Sequence, residues 1–236
     1  MKDKLNILGI IPARGGSKGI KLKNIKLLGN DPLIAYTIKS ALDSKFLTDI
    51  IVSTDSIDIQ KISENLGVKA PFIRPEELST DLVPTFPVLQ HAINFCESNY
   101  NIRYDIIVLL QPTCPFRTSE DIDKCIEILI EKDYDSVVSV VDVEGNHPLR
   151  MKRLYEDRLI NYIDQGSEDM RPRQILPKVF IRNGAIYATK IKVIKNQNLL
   201  VSENCGGYVM PQNRSINIDN HVDFAIAEYH LKSITS

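Results

Sequence analysis

Apolar runs of strand length recur along this chain with amphipathic segments between them, and that alternation narrows the possible fold more than any other feature. Leu5 to Ile11 is one such run, closed by Pro12. Asp49 to Ser53 (DIIVS), Asp105 to Leu110 (DIIVLL) and Asp135 to Val141 (DSVVSVV) are others. The segments between them, Pro32 to Ser44, Ser56 to Leu66, Thr85 to Ser98 and Ser119 to Lys132, read as helices; in the first, Leu33, Ile34, Ile38, Ala41 and Leu42 fall at helical spacing. Pro32 suits a first helical turn, Gly67 a helix end, and Ser119 an N-cap with Glu120 and Asp121 behind it. A strand that is apolar throughout is covered on both faces. The expected fold class is therefore α/β, an open, mostly parallel twisted sheet with helices on both faces, whose ligands bind beyond the carboxyl ends of the strands.

At 236 residues the chain is read as a single domain spanning 1–236. After Val141 the pattern lapses. Residues 142–177 are polar and of mixed charge, which fits an excursion packed on something else, such as a second subunit, better than a structureless loop. Regular structure is expected again at Lys178 to Ala188 and near Ser215 to Ile218. A final helix from His221 to Leu231 is expected to carry Val222, Ala225, Ile226 and Tyr229 along one face.

The 29 basic and 30 acidic residues nearly cancel, which argues against bulk nucleic-acid or membrane-surface binding. No apolar run approaches the ~20 residues of a bilayer span, and no secretory signal is recognisable at the N-terminus. Cys96, Cys114, Cys125 and Cys205 lack CxxC spacing, so free thiols in a reducing cytoplasm are the simplest reading.

Chemistry concentrates behind the strands. The first is followed by PARGGSKGIKLKN. Six basic residues and no acidic one lie between Lys4 and Asn30. Gly15, Gly16 and Gly19 allow close backbone approach, so that N–H groups can point into one concavity, and Arg14, Lys18 and Lys23 add full charge. This suits a polyphosphate, although neither the P-loop nor the GxGxxG spacing is present. Ser53-Thr54-Asp55 and Gln111 to Arg117 follow strands as ligand residues or as ordinary turns. Arg171 and Arg173 beside Gln174 fit carboxylate binding, or equally a surface salt-bridge cluster. Asn217 and Asp219 alternate with apolar residues, so both would project from one face and could hold Mg²⁺; a turn or cap role is the plainer alternative for Asp219. His91, His147, His221 and His230 have no metal-ligand spacing, and no nucleophile motif occurs.

Taken in order, ARGGSKGIKLKN, IVSTD, IRPEELSTD, LLQPTCPFRT, SVVSV, HPLR, RPRQILPKVFIRNGAIY and SINID resemble the acylneuraminate cytidylyltransferases over about Ile7 to Phe224. The resemblance implies a nucleotide-diphospho-sugar transferase-like fold and CMP transfer from CTP to a nine-carbon α-keto acid sugar, with Mg²⁺ and release of pyrophosphate. It implies a triphosphate loop of Arg14, Gly15, Gly16, Ser17, Lys18 and Lys23. Asn24, Arg74 and Thr85 are expected at the nucleoside, and Gln111 and Tyr187 at the sugar. Arg14, Lys18 and Asp219 would act at the reaction centre, with the group that takes the sugar's proton left open between Asp219 and water. The family's dimerisation excursion corresponds to about 142–174. It implies a homodimer with shared active sites, in which Arg150 and Arg173 reach the sugar carboxylate of the partner's site. The family commonly has Asp-Ile-Asp where this chain has Asn217-Ile-Asp219, which weakens Asn217 as a metal ligand. Rival readings are activation of legionaminate, pseudaminate or an octulosonate, a CTP-binding protein without catalysis, and a nucleic-acid module.

Overall fold

The computed structural model describes residues 5–16, 19–164 and 170–235. Ten strands and six helices run in the order β1 (Ile7–Pro12), β2 (Leu27–Leu28), β3 (Asp31–Pro32), α1 (Leu33–Leu42), β4 (Asp49–Ser53), α2 (Ile57–Asn65), α3 (Thr85–Tyr100), β5 (Ile106–Leu110), α4 (Ser119–Glu131), β6 (Ser136–Asp142), β7 (Lys152–Tyr155), β8 (Arg158–Asn161), β9 (Phe180–Lys190), α5 (Ile191–Gln197), β10 (Cys205–Val209) and α6 (His221–Thr235). Six strands form the main sheet in the order β10-β6-β9-β5-β1-β4. All are parallel except β9, which runs antiparallel between β5 and β6. The expected open, mostly parallel sheet is present.

The apolar strands are explained by the two cores they separate. In β5, Ile106, Val108 and Leu110 face one core with Ile122, Ile126 and Leu129 of α4; Ile107 and Leu109 face the other with Leu89, Ile93 and Cys96 of α3. Side chains alternate across a strand, so both sets must be apolar. A third, smaller core joins Ile20, Leu28, Leu33, Phe116 and Ile218 to Phe224 and Ala227 of α6.

The structure corrects several local expectations. Pro32 is the N-cap of α1 rather than a first-turn residue. Thr118, not Ser119, caps α4: its hydroxyl accepts from Asp121 N, and the Asp121 carboxylate accepts from Thr118 N in return. The region of 215–218 is not a strand but an irregular segment hooked to Thr113, whose carbonyl accepts from Ile218 N at 2.8 Å. Helix α5 and edge strand β10 were not anticipated. The buried face of α6 is formed by Phe224 and Ala227, while Val222, Ala225, Ile226 and Tyr229 face outward. Two apolar stripes lie on that helix, and periodicity could not say which one meets the core. Between β6 and β9 the excursion contains an antiparallel hairpin, β7–β8, with Leu154, Tyr155 and Leu159 exposed.

Candidate active site

Three parallel neighbours, β5, β1 and β4, end on the same side of the sheet. The residues beyond β1 and β5, together with the connection between α2 and α3, enclose a cleft of about 380 Å³. Pro12 and Arg14 come from the end of β1, Gln111, Pro112 and Thr113 from the end of β5, and Arg74, Leu78, Thr80, Asp81 and Val83 from the connection between α2 and α3. Thr85 and Val88, in the first turn and a half of α3, complete one wall, so that helix opens its N-terminus on the cleft. Gly19, Lys23, Asn24 and Asp219 complete the other.

Loop 13–24 is held from three sides. Gly15 N–H donates to Asp55 Oδ1 at 2.8 Å. Asn24 Nδ2 donates to Arg14 O at 2.9 Å, closing the loop on itself. Lys23 Nζ donates to Ile218 O at 2.7 Å and lies 3.3 Å from Asp219 Oδ1, tying the loop to the C-terminal segment. A Cβ on Gly19 would collide with the Asp219 carbonyl oxygen, so the two backbones meet only because this residue is glycine. Arg14 pairs with Asp81 across the cleft. Arg74 is buried, donates through Nε to Ser79 Oγ at 3.1 Å and has Asp55 at 3.8 Å. Burial lowers its pKa, the Asp55 carboxylate opposes that shift, and Arg14 adds to it.

Of the residues singled out from sequence, Arg14, Lys23, Asn24, Arg74, Thr85, Gln111 and Asp219 line this one cleft. Gly15 does not present its amide to a phosphate, because Asp55 already accepts it; the residue shapes the loop instead. Gly16 is exposed and does not line the cleft. Ser17 and Lys18 lie outside the described residues.

Asn217 is also corrected as a metal ligand. Its Nδ2 donates to Asp219 Oδ2 at 2.6 Å and its Oδ1 accepts from Cys114 Sγ at 3.5 Å, so the pair does not offer two oxygens to one ion. Among the described residues no group of three or more His, Cys, Asp or Glu side chains is placed to hold a metal. Mg²⁺ needs only one or two carboxylates beside substrate phosphates and water; Asp219 brings one carboxylate to the cleft, with Lys23 Nζ 3.3 Å from its Oδ1 and its Oδ2 accepting from Asn217.

A second cavity, of about 440 Å³, is lined by Val141, Ile181, Arg182, Asn183, Gly184, Tyr187, Ser215 and Asn217. It adjoins the first at Gln111, whose Oε1 would lie 3.0 Å from a Cβ on Gly184. Tyr187 sits here, its pKa raised by burial against the nearby Arg182 charge. Behind both cavities the buried Arg117 donates to Gln111 O at 2.6 and 2.9 Å and to Ala185 O at 3.0 Å, joining β5 to β9. Arg150 and Arg173 are exposed on the excursion and line neither cavity; Arg150 Nη2 donates to Arg171 O at 2.9 Å. Asp55 and Asp81 were legible only as members of polar segments and Arg182 only as part of an expected stretch of regular structure, since pairing and placement across loops leave no mark in spacing. No helix among the described residues is long and apolar enough to cross a membrane.

Residues 8–174 match the cytidylyltransferase family. The chain is 34% identical to a CMP-N,N'-diacetyllegionaminic acid synthase of Legionella pneumophila, over 95% of each. It is 34% identical to an N-acylneuraminate cytidylyltransferase of Escherichia coli, over 95% of this chain and 52% of that longer one. A CMP:2-keto-3-deoxy-manno-octonic acid synthetase solved in complex with CTP superposes with a TM-score of 0.71 at 16% identity, covering 97% of this chain and 99% of the other.

Proposed function

The chain belongs to the cytidylyltransferase family, and from that membership we propose that it transfers CMP from CTP to the anomeric hydroxyl of a nine-carbon α-keto acid sugar, releasing pyrophosphate. The observation that carries the reading is the pair of neighbouring cavities. One, beyond the ends of β1 and β5, is lined by Arg14, Lys23 and Arg74, and the other by Arg182 with hydroxyl and amide groups.

In this reading the nucleotide lies in the first cavity, with its triphosphate along loop 13–24 and its nucleoside towards Asn24, Arg74 and Thr85. The sugar hydroxyl attacks the α-phosphorus, the bond from that phosphorus to the bridging oxygen of pyrophosphate breaks, and the hydroxyl proton is released. Negative charge grows on the phosphate oxygens. Arg14 and Lys23, held in place beforehand by Asp81 and Asp219, stabilise it without having to reorganise. Lys18 is proposed for the same duty. Gln111 and Tyr187 position the sugar so that its hydroxyl meets the α-phosphate. Mg²⁺ is the proposed cofactor, held by Asp219, and its chemistry there is neutralisation of phosphate charge.

A homodimer is proposed as the working form, with the β7–β8 hairpin at its interface and Arg150 and Arg173 lent to the opposite site. Four free thiols suit a reducing cytoplasm.

The test is Mg²⁺-dependent pyrophosphate release from CTP with N-acetylneuraminate, a legionaminate, a pseudaminate and an octulosonate in parallel. Release with at least one nine-carbon acid and little with the octulosonate supports the proposal. Preference for the octulosonate overturns the substrate class. Tight CTP binding with no release from any acid makes the chain a nucleotide-binding protein.

A further inference from the structure

Residues five apart on a regular strand face opposite sides of the sheet. Arg182 and Tyr187 are five apart on β9, yet both line the second cavity. The register explains how. Tyr187 lies opposite Val138 and Arg182 opposite Val140, so on the β6 side Asn183 to Ile186 stand against Ser139 alone, while Ile186 keeps its place opposite Leu110 of β5. Ser139 fastens the bulge from inside: its hydroxyl donates to Asn183 Oδ1 at 2.6 Å and accepts from Ile186 N at 2.9 Å. Asn183 Nδ2 in turn donates to Ser215 Oγ at 3.0 Å. Gly184 makes the turn at φ +78, a conformation that side chains other than glycine rarely adopt.

The consequence is a guanidinium placed at a cavity otherwise lined by neutral groups. Among the described lining residues, Arg182 alone is charged, and Tyr187, Ser215, Asn183 and Asn217 supply hydroxyls and amides. Among the described residues no carboxylate pairs with it. One cation among neutral hydrogen-bonding groups matches a polyhydroxylated monoanion, whereas the adjoining cleft, with Arg14, Lys23 and Arg74, matches a polyphosphate. In an α-keto acid sugar the carboxylate and the anomeric hydroxyl sit on adjacent carbons, so clamping the first orients the second.

Resting on the function proposed above, we propose that Arg182 is a specificity-determining residue that binds the sugar's carboxylate within the chain's own site. The bulge held by Ser139 and Gly184 is the device that turns it there. Arg150 and Arg173 do not line this cavity in their own chain, so Arg182 supplies this ion pair independently of the excursion.

The test compares wild type, Arg182→Gln and Arg182→Lys in pyrophosphate release, using the preferred acid and its C1 carboxamide. Arg182→Gln should raise KM for the acid by about ten- to a hundredfold, the range for a charge-assisted hydrogen bond. KM for CTP and KM for the carboxamide should stay within about twofold, and Arg182→Lys should recover part of the loss. An unchanged KM for the acid, or equal losses for acid and carboxamide, overturns the assignment. Sedimentation of the variants guards against a packing role: loss of the wild-type oligomeric state in Arg182→Gln also overturns it. If wild type releases no pyrophosphate with any acid, the enzymatic reading fails separately. Calorimetry of the same acids with CTP present then decides Arg182, with equal binding by wild type and Arg182→Gln, or none by either, counting against it.

Discussion

Gly19 and Gly16 stand three residues apart in one loop and have opposite requirements. A Cβ at Gly19 would collide with the carbonyl oxygen of Asp219, whereas one at Gly16 would have nothing within 4 Å. Gly19→Ala should therefore separate the loop from the C-terminal segment, lower stability by about 1–3 kcal/mol, and reduce kcat/KM for CTP, since Lys23 and Asp219 lose their register. Gly16→Ala should change stability by no more than about 0.5 kcal/mol. Thermal unfolding of the two variants side by side checks the pair, and equal melting shifts would refute the close-approach argument. From sequence the three glycines are alike; only the distant backbone they meet tells them apart. The same holds for Asp55, whose carboxylate accepts from Gly15 N forty positions away.

At the scale of elements, the buried carboxylate of Asp121 anchors α4. Asp121 closes the capping box with Thr118, and accepts from Arg214 at 2.8 and 2.9 Å and from Tyr208 at 2.8 Å, binding the helix to β10 and the segment beyond it. Burial alone would raise its pKa. The hydrogen bonds from Arg214, Thr118 N and Tyr208, with the Arg214 charge, outweigh burial and hold it below the usual carboxylate value. A depressed folded pKa contributes stability that is present above the unfolded value, near 3.9, and is lost as pH falls through the folded value. Asp121→Asn should cost about 3 kcal/mol at pH 7, and its disadvantage against wild type should shrink as pH falls below about 4. Denaturant unfolding followed across pH checks this; curves that stay parallel down to pH 2 would contradict it. Thr118→Ala, removing only the cap, should cost about 1 kcal/mol. The acidic first turn of α4 was legible in advance, but the cap was misplaced by one residue because Thr118 and Ser119 are equally suited by type.

At the scale of the whole molecule, the hairpin leaves Leu154, Tyr155 and Leu159 about two-thirds exposed on a segment outside both main cores. Such a surface is unfavourable in water unless something covers it. If a second copy does so, sedimentation should show twice the 26.7 kDa chain mass, and Leu154→Glu with Leu159→Glu should give a monomer with impaired turnover. A wild-type chain that sediments alone would remove the hairpin from any interface. The strand–helix alternation, the apolar central strands and the placement of polar cleft residues after strands were determined by the sequence itself, because local periodicity is a direct record of which faces are buried. The antiparallel course of β9, the outward stripe of α6, the pairing of Asn217 with Asp219 and the bulge that turns Arg182 into a cavity were decided only by the tertiary structure. Each depends on what lies opposite in space, and a strand's direction, a helix's partner and a side chain's neighbour are properties of the packed chain that spacing along it does not encode.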